Sequence, residues 1–125
     1  MIFIDRSIPR PVAQALQLVR QDVEWFEPRF EPWKRDSEWL AEAGDNHWIV
    51  ILRDKKVRTR PGERQAIILH GAGCFILNQG ADPTKWEYLK LLALTLDEMI
   101  AKDAVTPRPY IYTVNRNGDM TQVLW

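Results

Sequence analysis

The sequence predicts a single α/β domain built on a mostly parallel sheet, and three features carry that reading. Strand-like and helix-like segments alternate through the first hundred residues, the pattern that crossover-connected parallel strands produce. The run "HWIVIL" at residues 47–52 is apolar on both faces, as a strand covered by helices on each side must be. Aspartates follow two such runs, Asp5 after "MIFI" and Asp54 after "VILR", and the carboxyl ends of strands are where sites form in sheets of this class.

The elements follow in order. Residues 1–5 read as a short buried strand closed by an acid. Pro9 or Pro11 suits the first turn of a helix, where the missing N–H costs nothing, and Val12, Ala13, Leu16 and Val19 give it an apolar face. "DVEWF" at residues 22–26 alternates like a second strand, and "EPRFEPWKR", with its two prolines, reads as a loop. Asp36 suits the cap of the helix "SEWLAEAG", and Gly44 suits its end. After the strand at 47–52 and a basic loop, Pro61 opens a helix with Ile67, Ile68 and Leu69 toward the core, ending at "HGAG". "CFILN" is a fourth buried strand. Asp82 or Thr84 starts the longest helix, with a stripe through Trp86, Leu89, Leu92, Ala93, Leu96 and Met99 or Ile100. "YIYTVN" and "TQVLW", separated by Arg116-Asn117-Gly118-Asp119, form a terminal hairpin or arm, since Asn-Gly is a strong turn signal.

At 125 residues, 46% of them hydrophobic and 27% charged, the chain suits one compact domain spanning residues 1–125. The formal net charge is zero, so global charge does not advertise a nucleic-acid partner. Local charge is uneven: residues 21–45 carry eight acids against three bases, and residues 53–64 six bases against two acids. Cys74 is the only cysteine, which excludes an intrachain disulfide and a thiolate cluster and suits a reducing cytoplasm. No apolar run approaches a membrane span or a signal peptide. The chemistry of acyl transfer and of dinucleotide or triphosphate binding lacks its motifs here. His47 and His70 have no metal-ligand spacing, and His70, near a helix end, reads as structural.

Asp5, Asp36 and Asp54, all at ends of elements, form a candidate set. Three converging carboxylates repel one another and raise each other's pKa unless a cation sits among them, and a hard divalent ion such as Mg²⁺ or Mn²⁺ prefers oxygen ligands. Each acid also has a plain alternative, as a helix cap for Asp36 and as turn residues for Asp5 and Asp54. Glu38 and Glu63 are second-rank members, the latter in a helix first turn where a carboxylate is favourable anyway. Asn78, after the fourth strand, offers an amide to a metal-bound water or simply ends a strand. Around Asp54 lie Lys55, Lys56, Arg58, Arg60 and Arg64, and Arg6 follows Asp5; such bases suit the phosphates of RNA, or a solvated loop paired with the acidic segment.

The stretches "FIDRSIPRPVAQAL", "RDSEWLAEAGDNHWIVILRDKKVRTRPGERQAI" and "CFIL" together resemble the PIN-like domain family related to VapC toxins of toxin–antitoxin modules. The resemblance covers residues 2–77, and the block "RDKKVRTRPGER" is its most specific part. It implies a compact three-layer α/β/α architecture and a Mg²⁺- or Mn²⁺-dependent ribonuclease, oligomeric and neutralised by a small antitoxin protein. Carried over, the family's acids fall on Asp5, Asp36 and Asp54, as catalytic and metal-binding residues. The chain departs from the pattern at Asn78, where many relatives have a further acid, which puts a two-metal site in question; either Glu38 or Glu63 compensates or a single metal suffices.

Two other function classes compete with the nuclease. One is a PIN-fold module that binds RNA or protein without cleaving. The other is a scaffold whose tryptophans, Trp33 and Trp125 among them, serve oligomerisation; it leaves the placement of the acids to chance.

Overall fold

The computed structural model describes residues 1–123 and 125. Its strands are β1 (Ile2–Ile4), β2 (Val23–Trp25), β3 (Ile49–Leu52), β4 (Gly73–Asn78), β5 (Tyr110–Asn115) and β6 (Met120–Gln122). Its α-helices are α1 (Arg10–Gln17), α2 (Phe26–Arg29), α3 (Asp36–Asp45), α4 (Pro61–His70) and α5 (Lys85–Val105), with a 3-10 turn at Lys55–Arg58. The strands make one sheet in the order β2-β1-β3-β4-β5-β6, in which β6 alone runs antiparallel to its neighbour.

Neighbouring side chains on a strand point to opposite faces, and the core divides accordingly. Ile2, Ile4, Ile51, Phe75 and Leu77 join Val12, Leu16, Leu92 and Leu96 of α1 and α5 on one face. Phe3, Val50, Leu52, Cys74 and Ile76 join Trp39, Leu40 and Ile67 of α3 and α4 on the other. These are the two outer layers of an α/β/α sandwich. Apolar runs such as "IVIL" follow from that double cover, because neither face of β3 meets water.

Several local expectations shift once the layers are in place. Arg35 is the N-cap of α3, and Asp36 is its first residue without a capping hydrogen bond, which releases the carboxylate for other partners. Gly44 does not end α3; it lies buried in the last turn, where a Cβ would collide with the carbonyl oxygen of His70, so glycine sets the closeness of α3 to α4. The proline-punctuated segment contains the short α2, interrupted at Glu27 by extended backbone. α1 stops at Gln17, leaving Val19 80% exposed. Of the apolar trio in α4 only Ile67 is buried, because the helix lies on the sheet along one side only.

The longest helix keeps its period and changes its phase. Thr84 starts it with a capping box, its hydroxyl accepting from the Glu87 N–H while Glu87 accepts from the Thr84 N–H. The buried stripe runs through Tyr88, Leu91, Leu92, Thr95, Leu96 and Met99, with Trp86 63% exposed and Ala93 in solvent. β5 and β6 form the expected hairpin around Gly118, whose φ of 88° only glycine adopts freely. The hairpin's last expected residues include Leu124, which lies outside the described residues.

Candidate functional site

The sheet order reverses between β1 and β3: the chain winds outward to β2 on one side and to β4 and β5 on the other. A crevice opens at the carboxyl ends of such a pair, since the crossovers leave it in opposite directions. Asp5 and Asp54 stand at these two strand ends.

Asp5 is held rigidly. Its backbone N–H continues the sheet by donating to Ile51 O at 2.9 Å. The residue is 4% exposed, and Oδ2 accepts from the Ser7 N–H at 3.1 Å and the Ser7 hydroxyl at 2.6 Å. The Ser7 oxygen in turn accepts the Arg53 N–H at 2.9 Å, so one hydroxyl ties the end of β1 to the end of β3. Oδ1 of Asp5 is buried with no partner among the described residues. Burial pushes the Asp5 carboxyl above the ordinary aspartate value; the Ser7 hydrogen bonds oppose that, and the negative charge of Asp36 adds to it. Asp-x-Ser is a local side-chain-to-backbone turn, and that spacing was the available signal for Ser7, a residue the pattern of acids alone passes over.

Asp36 and Asp54 approach from the side of α3 and of the 3-10 turn. Oδ1 of Asp36 accepts from Arg6 Nη2 at 2.7 Å and from Trp39 Nε1 at 2.9 Å. Oδ1 of Asp54 accepts from the Lys56 N–H at 3.0 Å, which starts the 3-10 turn. Their remaining oxygens converge on one atom: Arg60 Nη1 lies 3.1 Å from Asp54 Oδ2, 3.8 Å from Asp36 Oδ2 and 3.7 Å from Glu63 Oε1. Arg60 therefore stands among three carboxylates as a cation would. Glu38, two residues along α3 from Asp36, is exposed and pairs with Lys34 at 3.3 Å. Asn78 ends β4 beside Asn115 of β5.

The basic residues divide into two kinds. Arg6 is bonded to Pro32 O at 2.9 Å, Lys34 O at 3.0 Å and Asp36, and lies 4.5 Å over the Phe26 ring, so it clamps the loop before α3. Arg60 is engaged with the acids. Lys55, Lys56, Arg58 and Arg64 are exposed, with Val57 buried beneath them as the anchor of the turn, and Arg64 stacks 5.7 Å from the Trp125 ring.

A divalent cation needs several oxygen donors gathered around one point. The hard oxygen donors and the orphaned Oδ1 of Asp5 suit one in kind. The carboxylates as arranged, however, gather on Arg60 rather than into a common shell, and among the described residues no group of three or more acids, histidines or cysteines is placed to hold a metal. Cys74, buried in β4, has its thiol pushed up to about 12 by burial and takes no part. His70 pairs with Asp45 at 2.8 Å on the α3–α4 side.

A family model described as a PIN like domain matches residues 1–79, which carry β1 through β4 and each of the acids above. The chain belongs to the PIN-like domain family. No curated protein and no solved structure gives a significant match. PIN domains are generally nucleases that use divalent metals. The mixed sheet and flanking helices of this PIN-like domain agree with the α/β/α fold of the family. Among the described residues, no helix is long and apolar enough to cross a membrane.

Proposed function

We propose that this PIN-like domain is an endoribonuclease dependent on Mg²⁺ or Mn²⁺. The observation that carries the reading is Asp5: a buried carboxylate at the switch point of the sheet, with one oxygen fixed by Ser7 and the other without a partner among the described residues. A buried acceptor without a partner costs about 1–3 kcal/mol, more when charged, and folds retain such groups where they serve a ligand. Asp5, Asp36 and Asp54 would hold the ion only once Asp36 and Asp54 release Arg60, with Glu63, the third carboxylate on that guanidinium, as an additional donor. An ion held there would supply an activated water and charge neutralisation at a phosphodiester.

The chain's own residues perform the rest. Ser7 orients Asp5 and keeps its charged form accessible against burial. Arg6 and Trp39 fix the Asp36 carboxylate, which leaves its second oxygen free to exchange partners. Lys55, Lys56, Arg58 and Arg64, exposed around the crevice, bind RNA phosphates without reading bases. The resemblance of "RDKKVRTRPGER" to VapC relatives supports a further proposal, that the domain is the homo-oligomeric toxin of a type II module in the cytoplasm, silenced by a small antitoxin protein.

A second reading, a PIN-fold module that binds RNA or protein without cutting, is favoured by the position of Arg60 among the acids. RNA cleavage in Mg²⁺ or Mn²⁺, compared between the intact chain and Asp54→Asn, separates the two. The nuclease reading requires cutting that the variant loses. Binding without cutting in either protein establishes the second reading instead, and growth arrest on expression that Asp5→Ala abolishes tests the toxin role.

A further inference from the structure

Beyond the acids, the same edge of the sheet carries a second kind of chemistry. The carboxyl ends of β4 and β5 border a shallow, open hollow of about 290 Å³ lined by Asn78, Gln79, Gly80, Asn115, Arg116 and Asn117. It continues into a hollow of about 270 Å³ that shares Gln79, Arg116 and Asn117 and extends along α5 to Lys90. Four side-chain amides and two cations, with Glu87 between the cations on the α5 side, are a different composition from the acid cluster beside them.

Turn chemistry accounts for one of those amides. Asn115 donates to Asp119 Oδ2 at 3.2 Å and accepts the N–H groups of Asn117 and Asp119, so it builds the hairpin and shapes the wall. Gln79 belongs to the fold: it donates to Glu87 O at 3.2 Å, and its Oε1 is buried away from solvent with no partner among the described residues. Asn78 and Asn117 are uncommitted. Among the described residues the side chains of Asn78 and Asn117 form no hydrogen bond, although the register sets Asn78 directly opposite Asn115. A side-chain amide carries a donor and an acceptor side by side, the pattern that matches the edge of a nucleobase, adenine above all.

Position links this hollow to the acid site. Adjacent strands lie about 4.8 Å apart, so the ends of β4 and β5 stand roughly 5–10 Å along the sheet edge from the end of β3. Arg53 bridges the interval: its N–H reaches Ser7, which holds Asp5, and its guanidinium donates to Gly80 O at 2.9 Å and to the Tyr88 hydroxyl at 3.0 Å. Neighbouring nucleotides of one strand can therefore occupy both places.

We propose that the amide-lined hollow at the ends of β4 and β5 is a base-recognition subsite for single-stranded RNA, read by Asn78 and Asn117, with Arg116 and Lys90 taking the adjoining phosphates. The proposal rests on RNA as the substrate of the acid site and adds the base preference that the exposed lysines and arginines cannot supply. Duplex RNA is a poor occupant, because its base edges are engaged or held in a groove too narrow to enter.

The test uses the full chain and labelled single-stranded oligo(A), oligo(C) and oligo(U), with binding read by fluorescence anisotropy in EDTA so that no cutting intervenes. The intact protein ranks the three, and Asn117→Ala together with Asn78→Ala flattens the ranking by about five- to a hundredfold at the preferred base. Each single variant lowers the same preference, which keeps the test decisive if the double variant does not fold. An intact protein that binds all three equally, one that binds none of them, or variants that keep the original ranking overturn the subsite. Cleavage is scored separately with Mn²⁺. Ranked binding without cutting leaves the subsite standing and removes the nuclease, whereas cutting with a base preference indifferent to both asparagines removes the subsite alone.

Discussion

Replacing Arg60 with glutamine removes a cation shared by Asp36, Asp54 and Glu63 while keeping a side chain of similar reach. The three contacts, at 3.8, 3.1 and 3.7 Å, involve a guanidinium side chain that is 42% exposed, so water screens each of them. An exposed ion pair contributes about 0.2–1 kcal/mol, and three of them together on the order of 1–2 kcal/mol. A divalent ion binding to these carboxylates must first displace that amount. At 1.4 kcal/mol per tenfold, Arg60→Gln is expected to bind Mn²⁺ roughly five- to thirtyfold more tightly than the intact chain. Calorimetric titration reads the affinity. Thermal melting gives an independent check: without metal the variant melts lower, because three acids are left facing one another, and Mn²⁺ raises its melting temperature more than that of the intact chain. Mn²⁺ affinity that is unchanged or weaker in Arg60→Gln would refute the idea that the guanidinium and the metal compete for one place.

Other perturbations follow from single contacts. Because burial raises the Asp5 pKa in the folded chain, the fold retains a proton that the unfolded chain releases, and metal-free stability falls as pH rises from about 3.8 through the raised value. Asp5→Asn should therefore gain stability over the intact protein as pH is raised toward neutral, and show little gain at pH values below the ordinary aspartate pKa; a pH-independent difference in melting temperature counts against it. Gly44→Ala forces a methyl group onto the His70 carbonyl and should cost about 1–3 kcal/mol in a denaturant titration; a neutral result means that α3 and α4 can move apart freely. Cys74, fully buried with its thiol at about 12, should resist a thiol reagent in the native protein and react promptly in denaturant. Fast native labelling would contradict its placement in β4.

The acids after apolar strands were legible in the sequence because both signals are local: a run of β-branched residues marks the strand, and the acid that closes it marks the end. Ser7 and Arg60 were not legible in their roles. Ser7 matters because its hydroxyl meets both Asp5 and the Arg53 N–H, from a residue 46 positions away. Arg60 sits in a basic block that suggests a polyanion, yet its neighbours in space are three carboxylates from three different elements. Arg6 likewise reads as a phosphate ligand, and the fold gives its donors to the carbonyls of Pro32 and Lys34 and to Asp36.

The alternation of strands and helices, a long-helix start at Asp82 or Thr84, the turn at Asn117-Gly118 and the family were readable along the chain, since each depends on periodicity or on residues close in sequence. The strand order that sets the end of β1 beside the end of β3, the choice between Asp82 and Thr84, the pairing of β5 with β6, the face of α5 that is buried and the partners of each charge came from the tertiary structure. Those choices depend on contacts between distant segments. Apolar periodicity says that a helix has an inward side, but the twist of the sheet and the neighbouring helix α1 decide which turn of the stripe meets it, and no local pattern specifies which guanidinium a carboxylate will find.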